Sequence, residues 1–242
     1  HDEIEITNEE FLQKMKQSPE LPKSSQPAVG KFLEAYNDLT ADGSEVLSIH
    51  VTETISGTVH SAHQAAGLAN GKVTVIDSEF CARGQAFQVL AAAEFASTAS
   101  TMEELLTHLE DIKSRTILYI SIANLENMIK GGRIGKTMGK LTSLMDIKAT
   151  LQMTDGKLHS DSKGRGTKSI IKRYKEICQT LHDAPKKVSA IGFTHIGMSD
   201  YSTTILTMLK TTFPHVEPMV SYASPSVMTH AGPDAISVQF LL

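Results

Sequence analysis

The sequence of 242 residues is long enough for one large domain or two small ones with a buried hydrophobic core. Its formal net charge of -4 gives no support for a nucleic-acid-binding protein, because such proteins usually present a clustered basic surface. No apolar run approaches the roughly 20 residues of a membrane-spanning helix, and Cys81 and Cys178 lie too far apart for a metal or redox motif. We therefore expect a cytoplasmic protein that has no transmembrane segment and binds no nucleic acid.

The first half of the chain predicts helices that alternate with strands. Thr7 and Glu10 form a capping-box pattern that starts a helix ending at about Gln17. Pro27 is expected in the first turn of the next helix, which ends near Gly43. Strands alternating with helices favour a parallel sheet with right-handed crossovers. The further predicted elements are a strand in EVLSIHV, a helix in ISGTVHSAHQAAGLANG ended by Gly71, a strand in KVTVIDS, helices from about Ala82 and Met102, and a strand in TILYISIA.

The pattern changes after about Met145. Apolar and polar residues alternate on both sides of Asp155-Gly156, which predicts a β-hairpin. A helix from about Thr167 to His182, a strand in KKVSAIGFTHI, a helix from about Asp200 and two or three closing strands from Val216 follow. We therefore predict an α/β protein of two domains: residues 1–145 with a parallel sheet, and residues 146–242 with a mainly antiparallel sheet.

The segment MIKGGRIGKTMGK, residues 128–140, has the Gly-Lys-Thr of a phosphate-binding loop. That loop requires another glycine five positions before Gly135, where this sequence has Lys130. The preceding ANLENMIK is predicted to be helical, whereas a phosphate-binding loop joins a strand directly to a helix. We therefore expect no ATP site. Gly131 and Gly132 are interpreted as the end of a helix, and the turn could also hold Arg133 as a functional cation.

Hydroxyl side chains precede two predicted helices. Ser56, Gly57 and Thr58 lie between a strand and a helix, and Ser24 and Ser25 lie before another helix. Backbone N–H groups at a helix start, with hydroxyls beside them, bind anions such as carboxylates. Gly57 would let a ligand approach the backbone closely. The alternative is that these residues only cap their helices.

Three histidines are candidates for other sites. His60 and His63 are three residues apart on a predicted helix, but no cysteine or acidic partner completes a metal-binding set, so we expect no metal. His230 lies in THAGPDA, which we expect to be a loop between two terminal strands. It is either a hydrogen-bond donor at the domain interface or an exposed turn residue. Ser56 and His230 would be the nucleophile and base of a small serine hydrolase or acyl-transfer enzyme, although no third triad member is evident.

The segment SKGRGTKSIIKR concentrates basic side chains around a predicted helix start. These side chains form either a solvated surface or a docking surface for an acidic partner. They are Lys163, Arg165, Lys168, Lys172 and Arg173.

Five segments occur in the order and approximate spacing of the DegV family: SSQPAVGKFLEAY, SIHVTETISGTVHSAHQAA, VIDS, GGRIG and HAGPDA. Over essentially its whole length the sequence resembles this family, which includes the fatty acid-binding subunits of bacterial fatty acid kinase. The resemblance implies a parallel α/β first domain and a second α/β domain with an antiparallel sheet. It also implies a long-chain fatty acid in an apolar tunnel, with its carboxylate held at the mouth.

The resemblance also assigns residues to this site. By position, Ser24 and Ser56 are expected to bind the carboxylate, with Ser25 and Gly57 beside them. His230 matches the histidine of the family's H-x-G-P-G motif and is expected near the head group. Two arginines, Arg133 and Arg165, match family arginines that are expected to contact the kinase or the acyl phosphate.

The sequence also departs from the family's pattern. The family's opening strand and T-D-S segment have no counterpart, and we expect them before the first residue given. Asp234 replaces the last glycine of H-x-G-P-G, and Ala149 replaces a proline. Thr52 and Glu53 stand where a Ser-Ser pair is common, and Glu53 would weaken carboxylate binding if it pointed at the ligand.

Together these features predict a carrier that is not itself an enzyme and has no catalytic residue and no cofactor. It would present the fatty acid carboxylate to a separate kinase catalytic subunit and release acyl phosphate to an acyltransferase of phospholipid synthesis. The serine hydrolase is the alternative. A third hypothesis is a regulatory protein that senses a lipid-like ligand.

Overall fold

The computed structural model describes residues 5–99, 101–133 and 147–242. Its contacts divide the chain into two compact units. The first unit comprises His1–Ser24, Arg115–Thr154 and Leu158–Leu242, and the second comprises Ser25–Ser114 and Asp155–Lys157. The predicted boundary at residue 145 differs from this division, and residue 145 lies outside the described ranges.

The described helices and strands follow one another along the chain in this order: α1 (Asn8–Gln17), α2 (Val29–Leu39), β1 (Val46–His50), α3 (Thr58–Ala66), β2 (Val73–Asp77), α4 (Ala82–Ala96), α5 (Met102–Arg115), β3 (Thr116–Ile122), α6 (Glu126–Lys130), β4 (Ile147–Thr154), β5 (Lys157–Arg165), α7 (Gly166–Asp183), β6 (Ala190–His195), α8 (Asp200–Thr212), β7 (Met219–Tyr222), α9 (Pro225–Ala231) and β8 (Ile236–Leu241).

The second unit is built around a two-stranded parallel sheet. Strands β1 and β2 pair in register from Val46 with Val73 to His50 with Asp77. Because side chains alternate between the faces of a strand, each strand contributes to two apolar clusters. One cluster joins the sheet to α2 and α3, and the other joins it to α4 and α5. Helices therefore cover both faces of the parallel pair, as the strand–helix alternation predicts.

The first unit contains a six-stranded mixed sheet in the order β5-β4-β3-β8-β6-β7. Strand β3 is antiparallel to β4 and β8, while β6 is antiparallel to β8 and parallel to β7. Helices α7 and α8 pack on one face through residues such as Tyr174 and Ile205. Helices α1, α6 and α9 contribute Leu12, Met128 and Met228 to a second apolar cluster.

The prediction that TILYISIA extends the parallel sheet is wrong. This strand is β3, and it lies between two antiparallel neighbours in the larger sheet. Its side chains meet apolar partners on both faces, since Ile117 packs in one cluster and Ile122 in the other. Strand–helix alternation describes the local order of elements but does not specify which later strands pair with them.

Local signals in the sequence are confirmed at several elements. Thr7 and Glu10 form the capping box of α1, with the Glu10 N–H donating to Thr7 Oγ1 at 3.2 Å. Asp155 and Gly156 form the two-residue turn between β4 and β5, with φ angles of 49° and 69°. Such positive values favour Asn, Asp or Gly and match the twist of a hairpin.

Two element boundaries differ from the predictions. Helix α3 ends at a cap on Gly67 rather than at Gly71. Helix α2 has Ala28 as its N-cap, so Pro27 lies before the helix instead of in its first turn. A proline disfavours helical backbone in the residue before it, which here is Gln26. The segment with Ser24 and Ser25, which precedes Gln26, therefore lies outside the helix. The closing segment holds two strands, and the chain between them forms α9.

The described helices and the two cysteines each bear on a prediction made from the sequence. Among the described residues, no helix combines the length and the apolar character that crossing a bilayer requires.

Cys81 and Cys178 are free and buried. Burial raises the pKa of the Cys81 thiol to about 12 and that of Cys178 to about 11, so neither forms a reactive thiolate near neutral pH.

The turn at Gly156 gives a stability prediction. A Cβ at this position would lie 2.7 Å from Thr52 Oγ1, which itself donates a hydrogen bond to the Gly156 carbonyl. We expect Gly156→Ala to lower the denaturation midpoint, because left-handed backbone costs about 1–2 kcal/mol for a residue with a Cβ and the collision adds to this.

Gly43→Ala is the matched control. Gly43 also has a positive φ of 90°, but a Cβ there would meet nothing within 4 Å. Urea denaturation of both variants should show the larger loss at Gly156. Equal losses would contradict a contribution from the contact with Thr52.

Candidate functional site

Two predicted head-group residues meet in the first unit. Ser24 Oγ lies 2.8 Å from Nε2 of His230, although 206 positions separate them in the sequence. Ser24 is exposed in an irregular segment before α2, and His230 is half-buried. The structure therefore brings a hydroxyl and an imidazole into direct hydrogen bonding.

The prediction that His230 lies in a loop is wrong, because it lies in the last turn of α9. Ser224 caps this helix and Pro225 occupies its first turn, a combination that favours a helix start. Gly232 ends the helix with a φ of 79° and donates its N–H to the Met228 carbonyl. This short helix fixes the direction in which the imidazole projects.

The end of α6 packs against the His230 ring. Gly131 caps α6, and a Cβ on Gly131 would collide with Nδ1 of His230. Gly132 follows with a φ of 71°, so the prediction that the two glycines end a helix is confirmed. The close packing explains why a residue without a side chain is required at position 131.

Arg133 is held by the same turn. Its N–H donates to the Met128 carbonyl at 3.1 Å, and its Nη1 donates to the Gly131 carbonyl at 2.6 Å. Burial, with a further contribution from the positive charge of Arg133, holds the pKa of His230 below its ordinary value of 6.5. The imidazole is therefore neutral at pH 7. The remaining residues of the opening Gly-Lys-Thr motif, from position 134 onward, lie outside the described residues.

The surroundings of His230 determine its tautomer. Nδ1 is buried against Gly131 and finds no hydrogen-bond partner in the described part of the chain. A buried N–H without an acceptor is rarer and costs more than a buried lone pair without a donor. We therefore place the proton of the neutral ring on Nε2, which then donates to Ser24 Oγ. This leaves the Ser24 hydroxyl hydrogen free to donate to another acceptor.

The second unit carries the other predicted hydroxyls. Ser56 Oγ lies 2.8 Å from Thr58 Oγ1 and accepts the Thr58 N–H at 3.3 Å, so the two side chains lie together at the start of α3. Gly57 is the N-cap residue of this helix. A Cβ on Gly57 would lie 3.0 Å from the amide of Gln26, so that amide covers the glycine. The absence of a Cβ on Gly57 therefore lets the Gln26 side chain approach the backbone. The sequence analysis did not predict this contact.

The loop that carries Ser56 is anchored before it reaches α3. The two carboxylate oxygens of Asp77 accept the N–H groups of Glu53 and Glu79 at 2.9 and 2.7 Å. Thr52 is fully buried and donates its hydroxyl to the Gly156 carbonyl. The side chain of Glu53 is 55% exposed and lies 3.6 Å from His60 Nε2. A partner for this carboxylate therefore lies on α3, which the sequence did not predict.

The structure also places the remaining residues that the sequence singled out. Ser25 is exposed in the irregular segment before α2. Arg165 is exposed at the junction of β5 and α7, where it occupies the N-cap position. Asp234, which replaces a glycine of the family's motif, adopts a φ of 60° and so keeps the backbone conformation that glycine favours. Among the described residues, no group of three or more His, Cys, Asp or Glu side chains is arranged to hold a metal ion.

Similarity to known proteins extends over almost the whole chain. A family profile described as "Uncharacterised protein, DegV family" matches residues 1–242. The chain belongs to the DegV family. A DegV domain-containing protein of Listeria monocytogenes is 42% identical over 238 residues, which cover 98% of this chain and 84% of the relative. A DegV domain-containing protein of Streptococcus pneumoniae is 40% identical over 230 residues, which cover 94% and 81%.

Solved structures of DegV proteins share the fold. A DegV family protein from Thermus thermophilus, described by its fatty acid binding, matches with a TM-score of 0.89 and 28% identity, covering 100% of this chain and 86% of that one. DegV from Bacillus subtilis, described as a fatty acid binding protein, matches with a TM-score of 0.88, 29% identity and the same coverage. The mixed α/β fold with a small parallel sheet and a larger mixed sheet is thereby confirmed.

The electrostatics of this DegV protein give a pH prediction. Because Arg133 contributes to the lowered pKa of His230, Arg133→Gln should raise that pKa toward 6.5. The imidazole resonances of His230, followed by NMR against pH, measure the change. Lys130→Gln is the control, since Lys130 lies in the same segment but pairs with Glu126. An unchanged pKa in Arg133→Gln would refute the effect of its charge.

Proposed function

We propose that this protein binds a long-chain fatty acid and that Ser24 and His230 hold its carboxylate. The observation that carries the proposal is the 2.8 Å contact between Ser24 Oγ and His230 Nε2, beside a buried Nδ1 that has no partner in the described part of the chain. Two DegV structures, with sequence identities of 28% and 29% to this chain, are described as fatty acid binding. The family and the geometry thus support the same ligand class.

The carboxylate would accept the free hydrogen of Ser24. With the proton of His230 on Nε2, the imidazole donates to Ser24 Oγ, and this donation polarises the serine O–H toward an anionic acceptor. Hydrogen bonds to an ionised carboxylate are about twice as strong as those between neutral groups. We propose Ser56 and Gly57 as further carboxylate ligands, with Ser25 beside Ser24.

The acyl chain would supply most of the binding free energy. We propose that it lies in an apolar tunnel, where each buried methylene contributes about 0.8 kcal/mol. The hydrogen bonds at the carboxylate then determine the orientation of the ligand more than its affinity. No cofactor is required, because the proposed role is binding and not catalysis.

A binding experiment tests this proposal. Native mass spectrometry of the purified protein should show a co-purified long-chain fatty acid, and fluorescence competition should show uptake of added oleate. Ser24→Ala removes the proposed donor and should weaken binding roughly tenfold, the effect of one charge-assisted hydrogen bond.

Ser18→Ala is the control, because Ser18 is an exposed serine six positions earlier whose hydroxyl donates to the Glu20 carbonyl and accepts the Glu20 N–H. A ligand-free spectrum together with no uptake of oleate would refute the proposed function. Equal affinities in Ser24→Ala and the unaltered protein would remove Ser24 from the head-group site.

We further propose that the loaded protein presents its carboxylate to the catalytic subunit of a bacterial fatty acid kinase in the cytoplasm. The acyl phosphate would then pass to an acyltransferase of phospholipid synthesis. Arg133 and Arg165 are the proposed contacts with the kinase or the acyl phosphate. Arg165 is exposed, as a docking cation must be, and Arg133 is held beside His230 by the turn after α6.

A reconstituted reaction tests this partnership. With a kinase catalytic subunit and ATP, the oleate-loaded protein should yield oleoyl phosphate, and Arg165→Glu should slow the reaction without changing oleate affinity. Lys186→Glu reverses the charge of another exposed basic residue and serves as the control. Loaded protein that gives no acyl phosphate with the kinase would refute the partnership and leave fatty acid binding standing.

The alternative of a serine hydrolase using Ser56 and His230 receives less support. The Ser56 hydroxyl is hydrogen-bonded to the Thr58 hydroxyl, and Nε2 of His230 is hydrogen-bonded to Ser24. A nucleophilic serine needs its own hydrogen bond to an unprotonated base nitrogen. Hydrolysis of p-nitrophenyl esters that is lost in Ser56→Ala would favour the hydrolase instead.

A further inference from the structure

Helix α9 is short for a helix that orients a functional side chain. It has seven residues, whereas isolated helices shorter than about 12 residues are marginal in water. Its direction therefore depends on contacts outside the helix. His230 lies in its last turn, where the backbone carbonyls have no partner within the helix.

Asn127 on α6 supplies one of these contacts. Its Nδ2 donates to the Thr229 carbonyl at 3.0 Å, one residue before His230. The same side chain lies against Gly232, where a Cβ would be 3.1 Å from Asn127 Cγ. Asn127 thus contacts α9 on both sides of His230 and satisfies a carbonyl at the end of the helix.

The backbone of Asn127 also supports the other side of the imidazole. Its carbonyl accepts the N–H of Gly131 at 2.8 Å, and Gly131 is the residue against which Nδ1 of His230 is buried. One residue therefore fixes both the helix that carries the imidazole and the turn that covers it.

We propose that Asn127 is a positioning residue, which caps α9 and holds the His230 imidazole between Ser24 and Gly131. The proposal rests on the function proposed above, because it explains how the head-group site keeps its geometry. Without the amide donor, the end of α9 would loosen and water would reach the imidazole. The buried, neutral form of His230 would then lose its advantage.

Two substitutions test this proposal, with NMR titration of the His230 imidazole in the ligand-free protein as the main readout. Asn127→Ala removes the donor, and the pKa of His230 should rise toward 6.5 as burial decreases. Asn127→Asp also places a negative charge near His230, which favours the imidazolium and is unfavourable at the C-terminal end of α9, so it should raise the pKa further. Oleate affinity should fall about tenfold in both variants, the effect of a disturbed head-group site.

Asn124→Asp is the matched control. It makes the same change three residues earlier, and its carboxylate still accepts the Glu126 N–H at the favourable N-terminal end of α6. Its imidazole pKa and oleate affinity should equal those of the unaltered protein. If Asn127→Asp fails to fold, Asn127→Ala gives the result alone.

The outcomes separate this proposal from the proposed function. A His230 pKa that is unchanged in Asn127→Ala would overturn the positioning role, whether or not the protein binds oleate. A raised pKa in a protein that takes up no fatty acid would support the positioning role and refute the ligand. Reduced thermal stability with an unchanged pKa and affinity would show that Asn127 is merely structural, and would also overturn the proposal.

Discussion

The packing of the α6 terminus against His230 is the constraint on which the first-unit site depends. Gly131 leaves room for Nδ1 of the imidazole, and a side chain at that position would collide with the ring. This burial keeps the imidazole neutral and directs Nε2 to Ser24. The hydroxyl of Ser24 is then available as a donor. Gly131 thus acts on the Ser24–His230 pair through packing.

The second unit reaches a comparable arrangement by different contacts. Asp77 at the end of β2 accepts two backbone N–H groups, and one of them belongs to the loop that leads to Ser56. Ser56 and Thr58 then place two hydroxyls at the start of α3. In the first unit a packed turn positions the imidazole that contacts Ser24, and in the second an anchored loop carries Ser56. Preorganisation of this kind lowers the entropy cost of binding a ligand.

The sequence predicted much of the secondary structure because the responsible signals are local. The capping box at Thr7 and Glu10 and the turn at Asp155-Gly156 each involve residues a few positions apart. Helix α9 was not predicted, although Ser224 and Pro225 form a helix-start signal; the sequence analysis placed a loop there instead. The contact of Asn127 with α9 could not be predicted from local sequence, because its partner Thr229 lies 102 positions away.

The sequence by itself determined the family, the order of most helices and strands, and the residue types of the candidate site. Each follows from motifs or from periodicity within a few residues. The tertiary structure decided that β3 joins the larger sheet, where it pairs with β4 and β8 and contributes apolar side chains to a cluster on each face. It also decided that Ser24 meets His230 and that Gly131 covers the imidazole. Such contacts depend on how distant segments bury one another, which no local pattern specifies.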